Sequence, residues 1–279
     1  MKTIAALLTV YNRKDKTIEC LNNLYRQNGI GVEYAIDVYL TDDGCTDGTP
    51  EAIRTLYPNV KIVKGDGTLF WNRGMFVAWK EAVKTSHDFY FWLNDDTVLF
   101  KDTVSKLLSC SLVFENKSIL VGSTCDSSTC TVPTYGGLDN KRNTVFSNES
   151  YQKCYFMHGN IVLIPQYVFN IVGFNDVNYR HSLGDHDYGL MAQEKGIDVM
   201  VCPGFYGICD NHGTISRWKN PEVPLSERWK AFFKPTGQNP FEFFYFRKKH
   251  YGIIPACKTF ISNFVHLFFP SFWKNDDCR

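Results

Sequence analysis

Apolar residues form short runs along this chain, and stretches with helical spacing lie between them. Residues 3–10 form a continuous apolar run, as expected for a strand covered on both faces, and residues 15–27 carry apolar side chains at helical spacing. The repeated alternation predicts βαβ units and an α/β fold with a mostly parallel, Rossmann-like sheet flanked by helices. Further strands are predicted at 34–40, 60–63, 88–93, 119–123, 161–165 and 199–202, and further helices at 50–56, 76–84, 102–114, 168–172 and 187–195.

The N-terminus resembles a signal peptide for ten residues, but the polar residues 12–15 interrupt the apolar run and no small-residue cleavage site follows. We therefore interpret it as a buried first strand and expect a cytoplasmic protein. The ten cysteines are then expected to be reduced thiols that pack as small hydrophobes. The polar stretch 126–150 is predicted to be mobile.

Composition excludes several classes of protein. The net charge is +1, with 44% hydrophobic and 21% charged residues, which does not fit a disordered polyelectrolyte, a collagen-like chain or a histone-like DNA neutraliser. We expect no nucleic-acid partner. The charge is unevenly distributed, because residues 229–279 contain eight basic and three acidic residues, a net of +5, and the preceding residues have a net of −4.

Acidic residues follow two of the predicted strands, at the edge of the sheet where α/β folds bind ligands. Asp42 and Asp43 end the second strand, where they could accept hydrogen bonds from a ribose or base, or could form an Asx-turn and helix cap. Asp95 and Asp96 follow the apolar strand 88–93. Adjacent carboxylates there favour a divalent cation such as Mg²⁺ or Mn²⁺, and the alternative is that Asp96 caps the helix near residue 102.

A third cluster, residues 181–188, precedes a predicted helix. Asp187 suits the N-cap position, which leaves Asp185 as a carboxylate presented from a loop, suitable for general-base work. His181 and His186 could be ligands or bases, or hydrogen-bonded structural histidines.

Four segments together resemble an inverting family-2 glycosyltransferase with the GT-A fold. The resemblance covers residues 1 to about 215 and departs from the family pattern at Gly184, where glutamate is usual. Residues 64–75 resemble the rhamnosyltransferase-like branch of cell-surface polysaccharide synthesis. The four segments are Thr9-Val10-Tyr11-Asn12-Arg13, Asp42-Asp43-Gly44-Cys45-Thr46-Asp47-Gly48-Thr49, Leu93-Asn94-Asp95-Asp96-Thr97 and Gly184-Asp185-His186-Asp187-Tyr188.

The resemblance implies sugar transfer, with inversion, from a nucleoside-diphosphate donor such as dTDP-rhamnose or a UDP-sugar to a hydroxyl of a saccharide or lipid-linked acceptor. It also implies a role for each matched residue. Thr9, Tyr11, Arg13, Asp43, Trp71, Arg73 and Asp95 would bind the donor, Asp96 with Asp95 and, more weakly, His212 would hold Mg²⁺ or Mn²⁺, and Asp185 would be the base.

The predicted domains are a GT-A domain at 1–220 and a basic, aromatic tail at 221–279, with Pro221 and Pro224 as the hinge. The tail contains an amphipathic helix that polar residues and prolines make too short to span a bilayer. Its apolar face either packs on the body or docks on an anionic membrane surface, which would place the enzyme on the inner face of the membrane. This face comprises Cys257, Phe260, Ile261, Phe264, Val265 and Phe268.

Two other functions remain open from the sequence. A sugar nucleotidyltransferase would use a similar sheet and metal-binding acids, but should have a basic Gly-rich loop after its first strand, where this chain has Tyr11-Asn12-Arg13. A non-catalytic sugar-binding module would need neither the metal-binding acids nor Asp185.

Overall fold

A computed structural model describes residues 1–211 and 216–272, which fall into two compact units. The first unit comprises Met1–Val177 and Asp185–Asn211, and the second comprises Asn178–Gly184 with residues 216–272. The predicted domain boundary near residue 220 stays a prediction.

The first unit is built around one large sheet. In chain order its elements are β1 (Lys2–Val10), α1 (Lys14–Tyr25), β2 (Tyr34–Asp42), α2 (Thr49–Leu56), β3 (Lys61–Lys64), α3 (Phe70–Ala82), β4 (Phe89–Leu93), β5 (Val98–Leu99), α4 (Thr103–Val113), β6 (Ile119–Cys125), β7 (Gly137–Leu138), β8 (Thr144–Val145), β9 (Gln152–Lys153), β10 (Phe156–Met157), β11 (Ile161–Pro165), α5 (Gln166–Val172), α6 (Gly184–Glu194, whose first residue belongs to the second unit) and β12 (Val199–Ile208).

The sheet confirms the predicted α/β class. Its order is β3-β2-β1-β4-β11-β6-β12-β5, and β9 also pairs with β12. Strands β3, β2, β1 and β4 are parallel, as are β6 and β12, whereas β11 runs antiparallel between β4 and β6. The carboxyl ends of β1, β2 and β4 therefore meet at one edge of the sheet.

Strand β4 shows why the sheet is buried on both faces. Phe89, Phe91 and Leu93 join a core cluster that includes side chains of α1 and α4, whereas Tyr90 and Trp92 join the cluster on the other face, with side chains of α3 and α6. All five side chains are at most 3% exposed. Fully burying an apolar side chain of this size contributes about 1.5–3 kcal/mol, so β4 is firmly held up to its last residue.

The prediction that all ten cysteines are reduced was wrong, whereas the mobility of residues 126–150 stays a prediction. Cys125 and Cys130 form a disulfide, and the polar stretch contains β7 and β8, which pair with each other in a small antiparallel sheet with β10. The turn between the cysteines is closed by Asp126, whose carboxylate accepts hydrogen bonds from the backbone N–H groups of Thr129 and Val132. Local pairing of polar groups thus supplies order that hydrophobic patterning does not reveal. The other seven described cysteines are free thiols.

Within its described residues, the second unit has three complete helices, α7 (Leu225–Phe232), α8 (Pro240–Tyr251) and α9 (Ile253–Phe268), followed by a 3₁₀ turn at Pro270–Phe272. Helix α9 is the predicted tail helix, whereas α7 and α8 were not predicted. Asn263, expected on the polar face, is buried and accepts a hydrogen bond from Gln238. Among the described residues, no helix is both long and apolar enough to cross a membrane.

Gly207 allows β5 to lie close to β12. A Cβ at Gly207 would lie 2.6 Å from the backbone oxygen of Val98 and 3.3 Å from the Cα of Leu99. Backbone atoms cannot rotate away, so we predict that Gly207→Ala lowers the free energy of unfolding by about 1–3 kcal/mol in urea titrations.

The matched control is Gly189→Ala in α6. The nearest atom to a Cβ there is Cγ of the flexible Met157 side chain, at 3.3 Å. We expect no loss of stability, or a gain of up to about 1 kcal/mol from the better helix propensity of alanine. Equal losses in the two variants would contradict the backbone-contact argument.

Candidate functional site

Two adjacent carboxylates lie just beyond the carboxyl end of β4. The side chains of Asp95 and Asp96 are only 8% and 9% exposed. Nη1 of Arg13 donates to Asp96 Oδ2 at 2.7 Å and to Asp95 Oδ1 at 3.3 Å, and the hydroxyl of Thr17 lies 3.3 Å from Asp95 Oδ2. The structure therefore places Arg13, a candidate for donor binding, on the acid pair.

Burial strongly affects this pair. Desolvation raises the pKa of Asp95 from 3.8 to about 6, because loss of water disfavours the charged form. The guanidinium of Arg13 offsets part of this shift, whereas the neighbouring charge of Asp96 adds to it. Two crowded carboxylates thus need a positive partner.

The acid pair fits a divalent cation. Both side chains offer hard oxygen ligands, and Arg13 shows that a positive charge is accommodated between them. The described residues contain no cluster of three or more His, Cys, Asp or Glu side chains that could complete a metal site alone. Mg²⁺ sites commonly combine one or two carboxylates with water and substrate phosphate. Two carboxylates are therefore a sufficient number of protein ligands for such a site. His212 lies outside the described residues.

Asp43 organises the loop that leads into α3. Its Oδ1 accepts hydrogen bonds from the backbone N–H groups of Gly67 and Leu69 at 2.9 and 3.2 Å, and its Oδ2 accepts one from Phe70 at 2.8 Å. Asp43 is 3% exposed. The sequence suggested a contact with a base, and the loop contacts are an additional role that sequence spacing did not reveal.

The remaining donor-binding candidates lie on β1, directly after it, and on α3. The hydroxyl of Thr9 donates to the carbonyl oxygen of Trp71 at 3.4 Å. Tyr11, just past the end of β1, is 57% exposed. Arg73 donates from Nε to the carbonyl oxygen of Val177 at 2.8 Å. Thr9 and Trp71 are thus in direct contact, which the sequence alone did not indicate.

Asp185 lies in the first turn of α6 rather than on a loop, so the expectation that Asp187 caps this helix was wrong. Helix α6 begins at Gly184, and both aspartates fall in its first turn. Carboxylates are favourable there because backbone N–H groups point toward them. Asp185 Oδ1 accepts from the N–H of His186 at 2.8 Å, and Oδ2 accepts from the N–H of Gly159 at 3.0 Å.

A short chain of contacts connects Asp185 with the acid pair. Gly159, which donates to Asp185, packs so closely on Trp71 that a Cβ would lie 2.4 Å from its ring. The indole Nε1 of Trp71 donates to Asn94 Oδ1 at 2.7 Å, and Asn94 immediately precedes Asp95. Asn94 and Gly159 were missed as site residues, although Asn94 is the first polar residue after the apolar strand.

Two histidines lie beside Asp185. Burial lowers the pKa of His158 and lowers that of His186 to about 4. The negative charge of Asp185 opposes both shifts, and the positive charge of Arg142 reinforces them. The ring centroids of the two histidines are 5.6 Å apart. Both rings are thus favoured in the neutral form next to the carboxylate.

Comparison with known proteins identifies the family. The profile described as Glycosyl transferase family 2 matches residues 6–171, more than half of the chain. The chain belongs to glycosyl transferase family 2. No curated protein matches the sequence. The rhamnosyltransferase-like branch stays a prediction.

Solved structures support the same assignment at the level of the fold. A Staphylococcus aureus TarS structure matches 96% of this family-2 chain with a TM-score of 0.61 and 14% identity, and the chain spans 55% of that TarS chain. TarS 1-349 in complex with UDP-GlcNAc matches at 14% identity with a TM-score of 0.60, over 96% of this chain and 90% of its own. A Pyrobaculum calidifontis mannosyltransferase in complex with GDP-Man and Mn²⁺ matches at 14% identity with a TM-score of 0.55. The match covers 96% of this chain and 81% of the mannosyltransferase chain. These similarities confirm the GT-A fold.

The histidines predict a dependence of stability on pH. The pKa of His186 is about 4 in the folded chain against an ordinary 6.5, so the unfolded chain binds more protons as the pH falls below 6.5. This stabilising contribution is complete above pH 6.5 and is lost toward pH 4. Between pH 7 and pH 5 the wild type should lose about 2 kcal/mol more stability than His186→Gln.

Urea titrations of both proteins at the two pH values measure this difference. Other titrating groups are common to the two proteins and cancel in the comparison. Equal losses would show that His186 takes up its proton in the folded state as readily as in the unfolded one.

Proposed function

We propose that this family-2 chain transfers a sugar from a nucleoside-diphosphate donor, dTDP-rhamnose or a UDP-sugar, to a hydroxyl of a saccharide or lipid-linked acceptor. The proposal includes inversion at the sugar carbon and a divalent metal ion. One observation carries it: the contacts of Gly159, Trp71 and Asn94 connect the candidate base Asp185 with the candidate metal ligands Asp95 and Asp96. A base and a charge-stabilising pair at one edge of the sheet are what a direct displacement needs.

The donor would lie across the carboxyl ends of β1, β2 and β4. Thr9, Tyr11 and Asp43 would face the nucleoside there, which agrees with the family's donor-binding role. Mg²⁺ or Mn²⁺ held by Asp96 and Asp95 would supply positive charge for the leaving diphosphate. Two structural neighbours are complexes, one with UDP-GlcNAc and one with GDP-Man and Mn²⁺, which supports a nucleotide-sugar donor.

Asp185 would remove the proton from the attacking hydroxyl. Its two oxygens each accept one backbone N–H, from His186 and Gly159, which fixes the plane of the carboxylate. A carboxylate oxygen has two lone pairs, so each oxygen retains capacity to accept a hydrogen bond from an acceptor hydroxyl. A fixed base on the face opposite the leaving group gives inversion in a single displacement.

The predicted product is part of a cell-surface polysaccharide, and the tail would hold the cytoplasmic enzyme at the inner face of the membrane. Helix α9 has an exposed apolar stripe, namely Ile254, Ile261, Val265 and Phe268, at spacings of seven, four and three residues. Ile254 and Ile261 are 67% and 64% exposed. Trp229 of α7 extends the stripe, with its ring centroid 6.2 Å from that of Phe268.

We propose an anionic lipid surface as the partner of this stripe. The exposed Lys258 lies on the same side of α9, between Ile254 and Ile261, and the sequence from Trp229 onward has a net charge of +5. Apolar side chains bordered by lysines suit the boundary between lipid headgroups and acyl chains.

The base assignment predicts the behaviour of Asp185→Asn. Asparagine keeps the size of the side chain but cannot take up a proton, so nucleotide release from a dTDP- or UDP-sugar with Mn²⁺ should fall by about 10²–10⁴-fold. Donor binding, measured by thermal shift, should survive. The control is Glu194→Gln, an exposed carboxylate at the other end of α6, which should retain full activity.

Retained transfer in Asp185→Asn removes this residue from the role of base. If pyrophosphate is added to the same nucleotide-sugar, formation of a nucleoside triphosphate and a sugar 1-phosphate, instead of release of a nucleoside diphosphate, would favour the nucleotidyltransferase alternative. Absence of turnover with every sugar nucleotide would favour a binding module.

The membrane assignment predicts that the double variant Ile261→Glu/Phe268→Glu loses binding to vesicles containing phosphatidylglycerol. The matched control is Leu112→Glu, because Leu112 is 65% exposed on α4, in the first unit. Co-sedimentation should fall at least tenfold for the double variant and stay unchanged for the control. Equal binding of both variants would exclude the stripe as the docking surface.

A further inference from the structure

Arg13 is bound to the same carboxylates that are proposed to hold the metal ion. A single nitrogen, Nη1, lies 2.7 Å from Asp96 Oδ2 and 3.3 Å from Asp95 Oδ1. We propose that Arg13 is the resident counter-cation of this pair and that a divalent ion binds by displacing its guanidinium. This inference rests on the proposed metal site and adds to it an exchange between two cations.

The three side chains differ in their exposure. The side chain of Arg13 is 46% exposed, whereas those of Asp95 and Asp96 are 8% and 9% exposed. The guanidinium therefore approaches the pair from the solvent side and can leave to solvent, where a charged group is well hydrated. The carboxylates are held at the end of the buried strand β4 and cannot follow it.

Displacement needs only a change of side-chain conformation. Arg13 is the N-cap residue of α1, and its carbonyl oxygen accepts the N–H of Thr17 at 2.9 Å, as the start of the helix requires. The hydroxyl of Thr17 lies 3.0 Å from the same oxygen and 3.3 Å from Asp95 Oδ2. The backbone of Arg13 is thus fixed while its long side chain remains able to rotate.

The two cations exclude each other. Arg13 Nη1 occupies the space next to Asp96 Oδ2 that a metal ion would need at about 2.0–2.1 Å for Mg²⁺. A guanidinium and a divalent ion within a few ångströms repel strongly in a site with little water. Metal binding then depends on the fraction of molecules in which Arg13 is displaced, which lowers the apparent affinity for the ion alone.

The test is a Mn²⁺ titration of the full chain without nucleotide, with free Mn²⁺ measured by electron paramagnetic resonance. Removing the competitor in Arg13→Gln should tighten Mn²⁺ binding about tenfold over the wild type. Arg13→Lys retains a cation but not the planar fork, so its affinity should lie between the two. The control, Arg54→Gln, loses the same charge in an exposed pair with Glu51 on α2 and should bind as the wild type does.

Thermal unfolding provides a second readout. In EDTA, Arg13→Gln should melt below the wild type, because the two buried carboxylates lose their cation, and Mn²⁺ should raise its melting temperature more than that of the wild type. Adding Asp96→Asn should abolish the response to Mn²⁺ in both backgrounds. If Arg13→Gln does not fold, Arg13→Lys carries the test: it should bind Mn²⁺ more tightly than the wild type, and equal or weaker binding would overturn the exchange.

Equal or weaker Mn²⁺ binding by folded Arg13→Gln would overturn the exchange while leaving the proposed metal site intact. If neither protein binds Mn²⁺, both the exchange and the metal part of the proposed function fail. The role of Asp185 is tested separately by nucleotide release and is not affected by either result.

Discussion

The burial of two adjacent carboxylates at the end of β4 is the constraint on which the site depends. β4 is covered on both faces, so Asp95 and Asp96 emerge from a strand that cannot shift to relieve their repulsion. Arg13, at the start of α1, forms ion pairs with both carboxylates and offsets this repulsion. Directly after the acid pair, β5 pairs antiparallel with β12, so the chain leaves β4 and joins the end of the sheet order beyond β12. The buried position of β4 in the sheet thus fixes the two carboxylates, and their charge is balanced by Arg13.

The same edge of the sheet couples this charge to the candidate base. Trp71 is packed between Gly159 and Trp92, with its ring at 5.7 Å from that of Trp92 and its indole nitrogen bound to Asn94. Since Gly159 also donates to Asp185, a displacement of the indole would disturb both ends of the site. Aromatic packing therefore connects the candidate base with the acid pair.

The sequence predicted the parts of the fold that depend on local periodicity. Most of the parallel strands are apolar runs separated by helices, and the carboxyl ends of parallel strands lie at one edge of a sheet, so the acids after β2 and β4 could be placed at one edge. Pairings over long sequence distances were beyond this reasoning: the partner of Arg13 lies more than 80 residues away, and that of Asp185 is a backbone N–H. Helix α8 escaped detection because its aromatic run has no clear helical period.

The net charge of +1 is the sum of an acidic excess before Trp229 and a basic excess from Trp229 onward. The acidic excess before Trp229 includes the carboxylates that attract cations at the edge of the sheet, where Arg13 is already bound. The basic excess after it lies in the same part of the sequence as the exposed apolar stripe of α9. The proposed diphosphate donor and the proposed anionic membrane are both negative, so the proposed function calls for positive charge at both places. At the acid pair that charge would come from Arg13 or from the proposed metal ion, whereas at the tail lysine and arginine side chains would supply it directly.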